Sequence, residues 1–140
     1  MDPRVVALAD ILRLNTKLLR NCLDGLTDEQ AGARPSATTN SAAFIAAHVA
    51  DARFLLLEVL GDARPSPLGF YLEKARGIDD VKQCPSLAET REAWTAASHA
   101  LRDRLEVITA PELDAAVSMR FPAEQTVLGI LTFLVQHDSY

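Results

Sequence analysis

Residues 41–60 read SAAFIAAHVADARFLLLEVL, and a helix drawn through them is apolar nearly all round, with Phe44, Ile45, Val49, Phe54, Leu55, Leu56, Leu57, Val59 and Leu60 on its surface. A helix of that kind has to be covered on most of its sides. Two arrangements satisfy it: a central position among other helices of the same chain, or a free side covered by a second subunit in a homodimer. Asn40 or Ser41 is placed to cap its start, and Gly61 lies where a helix ends.

The rest of the sequence supplies neighbours. Residues 3–23 place Val5, Leu8, Ile11 or Leu12, Leu19 and Cys22 at three- and four-residue steps, with Pro3 in the first turn and Gly25 just past the end. Ser86-x-x-Glu89, after Pro85, is a capping box, and Leu87, Trp94, Ala97, Leu101, Leu105 and Ile108 follow in one stripe. After FPAEQ, Val127, Ile130, Leu131 and Leu134 lead down to His137. LTDEQAGARPSATTN reads as a polar loop, and 61–85, broken by prolines and glycines, as a long connection between helices 2 and 3 with one short helical turn. No convincing β run interrupts, and Ala and Leu dominate over sparse aromatics, which favours helix. The expectation is an all-α four-helix bundle in a single domain over 1–140.

A net charge of -5, with basic residues reading as scattered singly, makes nucleic acid an unexpected partner. MDPRVVALADILRL carries Asp10 and Arg13 inside its apolar run, unlike a secretory leader. No stretch reaches the roughly 18 uncharged apolar residues of a membrane span. Cys22 and Cys84 form no CxxC, which suits a reducing cytoplasm, with Cys22 read as core filler on the apolar side of its helix.

The histidines are the candidates for chemistry. Measured round a helix from Phe44, His48 falls at about 40°, within the stripe expected to be buried. Measured from Val127, His137 falls at about 280°, on or beside the inward face. His99 lies about 140° from Trp94 and should be solvated. A single inward histidine is most simply a hydrogen-bonded core residue. Two on different helices each need a polar partner in apolar surroundings, and a shared divalent metal would serve both. The Glu-x-x-His of di-iron bundles is absent, because Ile45, Ala96 and Leu134 stand three before the histidines; HExxH, GxSxG and a phosphate-binding Gly-rich loop are absent too. Asp51 and Glu58 flank the His48 face, either as rim charges or as hydrogen-bond or acid-base partners, and Asp138 is placed where it could orient an imidazole. Ser139 and Tyr140 add hydroxyls at the same end.

LTDEQAGARPSATTNSAAFIAAHVADARFLLLEVLG, with FPAEQTVLGILTFLVQHDSY, resembles the DinB-like, or YfiT-like, superfamily of four-helix proteins. The likeness covers most of the chain; the middle connection and the third helix match only in kind. It implies three histidines on a divalent metal, zinc or nickel, one on the second helix and two spaced i, i+4 on the fourth. His48 in AHVAD and His137 in QHDSY match the first two, and the third would fall at position 141, past the last residue. The last helix also lacks a stop signal, so the chain is expected to be cut inside the motif; the Tyr140 carboxylate, if terminal, could stand in for the missing ligand. The resemblance further implies a small-molecule substrate and a low-molecular-weight thiol, as in relatives that are thiol-dependent transferases or isomerases, or else a metal-dependent hydrolase. The alternative is a non-catalytic ligand-binding or dimerising module whose histidines are structural.

Overall fold

The computed structural model describes residues 1–72, 75 and 77–139. Four long helices form the bundle: α1 (Val6–Leu23), α3 (Ala42–Val59), α5 (Leu87–Val107) and α7 (Val127–Asp138). Short helices α2 (Asp28–Gly32), α4 (Gly69–Leu72) and α6 (Ala110–Asp114) sit in the connections. Among the described residues there is no strand, only an isolated bridge between Ala116 and Thr126, and no helix is long and apolar enough to cross a membrane. Round the bundle the order is α1, α5, α3, α7, with α7 closing back onto α1.

The helix boundaries follow local chemistry. The Ser41 hydroxyl accepts the Phe44 amide and starts α3, and Gly61 ends it with a φ of 79°, which a side chain would resist. The capping box of Ser86 and Glu89 starts α5. Pro3 opens a 3-10 turn that runs into α1. A second capping box, Thr27 with Gln30, makes α2 inside the segment expected to be a plain polar loop. The connection expected over 61–85 holds α4 and a 3-10 turn at Ile78–Asp80, and part of it lies outside the described residues.

The stripe expected on the third helix is buried throughout: Leu87, Trp94, Ala97, Leu101, Leu105 and Ile108. So are Val127, Ile130, Leu131 and Leu134 on α7. The apolar surface of α3 is covered within one chain, since α5, α7 and α2 all pack on it. Only a narrow strip through Ala42, Ile45, His48 and Glu58 is exposed. Cys22 is exposed as well, which corrects its reading as core filler. Its place in the repeat puts it on an apolar side of α1, yet Ile11, Leu14 and Leu18 of the same helix are also exposed; periodicity marks an apolar side without saying that anything covers it.

Gly129 sets how α7 begins. A Cβ there would lie 2.7 Å from the Glu124 Cβ and overlap the Glu124 carbonyl oxygen. Gly129→Ala should therefore lower stability by about 1–3 kcal/mol in urea unfolding, the usual range for an overpacked site. An unchanged midpoint would show that the turn before α7 yields freely.

Candidate metal centre

α3 and α7 bring His48 and His137 together. Their Nε2 atoms stand 3.3 Å apart, with the ring centroids 5.2 Å apart and the planes at 69°. The pair lies on the wall of a cleft of about 490 Å³. Phe44, Ile45, Val49 and Phe133 make that cleft apolar, while Asn40 and Gln136 supply amides at its edge. His137 is half-buried, but His48 is exposed and does not sit within the buried stripe as its angle suggested. On a helix apolar all round, angle cannot tell which strip its neighbours leave open. His99 is exposed, as expected.

The 3.3 Å separation admits two readings. It is a long hydrogen bond between neutral imidazoles. It is also close to the edge of a tetrahedral site, since two nitrogens at about 2.0–2.1 Å from zinc stand about 3.3–3.4 Å apart. The two residues therefore fit a shared ion. Among the described residues, no group of three or more His, Cys, Asp or Glu side chains is placed to hold a metal, and Tyr140, whose carboxylate was the substitute ligand, lies outside them.

Although His48 is exposed as a residue, partial loss of solvent round its ring against the cleft wall, and after it the neighbouring His137, push the imidazole below the ordinary histidine value of 6.5, while Asp51 opposes them. A base depressed on folding binds fewer protons folded than unfolded, so this contribution to stability is full above about pH 6.5 and declines as pH falls from there through the folded value. In a proton NMR titration the His48 ring should show a midpoint below 6.5. His137→Ala should raise that midpoint without restoring it fully, because burial remains; an unmoved midpoint would mean that the rings do not sense each other.

Asp138 makes no hydrogen bond to an imidazole among the described residues, which corrects the direct contact expected of it. Its side chain is turned into the bundle, where one carboxylate oxygen accepts from Arg53 Nε at 3.0 Å and the other from Arg53 Nη2 at 2.8 Å. The side chains of Arg53 and Asp138 are only 2% and 4% exposed. Arg53 Nη1 also donates to Thr16 Oγ1 and Ser98 Oγ, and Nη2 to the Leu12 carbonyl. All five N–H donors of the guanidinium are thus used. Its Cζ lies over Trp94, 3.4 Å from the ring centroid. Asn15 joins by donating to Asp138 and to Ser139 Oγ. One network ties α1, α3, α5 and the end of α7 together beside His137. Glu58 is exposed and Asp51 half-buried, and Asp51 acts on His48 through its charge.

The basic residues are less scattered than the sequence suggested. Arg13, Lys17 and Arg20 of α1 line one cleft with Arg91 of α5, together with the acidic Asp24. Arg13 is paired with Asp10, and Arg91 donates to the Leu23 carbonyl at the end of α1. That cleft lies between α1 and α5, across the bundle from the histidine pair.

No curated protein matches the chain. A crystal structure of a conserved protein from Enterococcus faecalis has the same fold, with a TM-score of 0.74 at 15% identity, over 96% of this chain and 88% of that one. At that identity the likeness speaks for architecture alone. The family model for the DinB superfamily matches residues 11–140, which takes in most of α1, the whole of α3, α5 and α7 and the His48–His137 pair, and the chain belongs to the DinB superfamily.

Proposed function

We propose that this chain holds a divalent metal, zinc or nickel, between His48 and His137, and that the adjoining cleft takes a small-molecule substrate in a metal-dependent reaction. The observation that carries the proposal is the 3.3 Å approach of two Nε2 atoms from different helices at the wall of an apolar cleft. The reaction class that fits best is a thiol-dependent transfer or isomerisation, with hydrolysis the nearest alternative. A bound metal would supply Lewis acidity, stabilising a thiolate or activating a water. The chain's own residues bind and exclude: Phe44, Ile45 and Phe133 shed water from an apolar substrate portion, and Asn40 and Gln136 offer polar contacts at the edge. Asp51 supports a cationic or metal-bound His48.

The second reading, a non-catalytic module with structural histidines, is favoured by one observation. Among the described residues the pair has no third ligand, and its Nε2 contact stands by itself as a hydrogen bond. Zinc titration by calorimetry separates the two. Binding near one ion per chain, lost by at least about 100-fold in His48→Ala with the helical circular dichroism retained, supports the metal site. Removing one of two ligands leaves a monodentate imidazole, so a smaller loss would place the ion elsewhere. If the wild type takes up no zinc or nickel and His48→Ala is merely less stable, the histidines are structural.

A further inference from the structure

We propose that the buried Arg53–Asp138 ion pair positions His137 against His48, making Arg53 and Asp138 positioning residues for the site. The inference rests on the metal reading for its consequence but on separate geometry for its substance. His137 Nδ1 is buried and has no hydrogen-bond partner among the described residues. Ligand histidines are ordinarily held by a hydrogen bond to the nitrogen that does not face the metal. Here, among the described residues, nothing holds that nitrogen, so the direction of the ring has to come from the backbone of the last turn of α7.

That turn is fixed by the residues immediately following. Asp138 is forked by Arg53 at 3.0 and 2.8 Å, and Asn15 reaches Ser139 Oγ at 2.8 Å. Arg53 and His48 belong to the same helix. The contacts 48 to 137 and 53 to 138 are thus two fastenings between one pair of helices, and together they set the rotation and height of α7 against α3. The fastening at 53 is rigid: the guanidinium has every donor bonded and is stacked on Trp94, so it cannot turn without breaking several bonds at once. Position 138 lies about 100° round the helix from 137, so one residue can face the interior while the other faces the cleft.

The test compares wild type, Asp138→Asn and Ile108→Ala. Ile108 is a buried residue at the C-terminal end of α5, and its truncation lowers stability without touching the ion pair. Two readouts are taken under conditions where all three proteins are folded: the nuclear Overhauser contact between the His48 and His137 rings, and zinc affinity. Asp138→Asn should lose the ring-to-ring contact and bind zinc about tenfold or more weakly, in the range seen when outer partners of metal ligands are removed. Ile108→Ala should keep both. An Asp138→Asn protein that retains the ring contact overturns the inference, as does an Ile108→Ala protein that loses it equally, since the effect would then be general loosening. Absence of zinc binding in the wild type would sink the metal reading alone, because the ring contact still decides whether the ion pair positions His137.

Discussion

Asp138→Ala should be among the most damaging single substitutions in the chain, lowering unfolding stability by about 3–5 kcal/mol and the melting temperature by roughly 10–20 °C. The reason is asymmetry. With both partners present, the Arg53 guanidinium has a carboxylate fork, two hydroxyls and a carbonyl around it. With the carboxylate gone, the charge stays buried while two of its donors lose their acceptors, and an unpaired buried ion costs several kcal/mol. Asn15 loses one acceptor as well. The double variant Arg53→Met, Asp138→Leu should recover most of the loss, since apolar residues of similar size often replace a buried pair at little cost. Urea unfolding of the three proteins checks both statements. A single variant within about 1 kcal/mol of wild type would mean that water reaches Arg53 and that the pair is not desolvated.

The amount of this that could be read from sequence differs between core and site. The apolar stripes of α5 and α7 and the cap at Ser86 came from periodicity and side-chain chemistry, both local properties. The partners of Arg53 are not local. Thr16, Ser98 and Asp138 lie 37, 45 and 85 positions away, and Thr and Ser are too common to announce a role. A signal was nonetheless present: an arginine within a helix apolar nearly all round must find an acid or be exposed. Arg53 belongs to no motif, and the adjacency of Asp138 to His137 in sequence suggests a partner other than the one it has. His48 and His137 were identified by residue type, helix placement and family resemblance. The exposure of His48 could not be read, because it depends on which strip of α3 its neighbours leave uncovered. The exposure of Cys22 on α1 is hidden from the sequence for the same reason.

Trp94→Ala should match or exceed the loss at Asp138, at about 3–5 kcal/mol for truncating a buried tryptophan. Trp94 is 1% exposed in the centre of the α5 stripe, and its Nε1–H donates to the Thr16 carbonyl of α1 at 3.2 Å. Its ring is also the floor on which the Arg53 guanidinium lies, so the substitution opens a cavity, removes the indole hydrogen bond to α1 and frees one face of a buried cation. The residue therefore belongs both to the core and to the clamp, and the two roles separate experimentally. Trp94→Phe keeps an aromatic floor and loses the indole hydrogen bond, so it should retain most of the stability. In a double-mutant cycle, Trp94→Ala and Asp138→Ala should show a coupling of about 0.5–3 kcal/mol, because both act on Arg53. Trp94→Ala paired with Ile108→Ala, which does not touch the ion pair, should be closer to additive. Coupling at Asp138 no larger than at Ile108 would mean that Trp94 stabilises the bundle by volume alone, and the stacked guanidinium would then add nothing to the rigidity on which the placement of His137 depends.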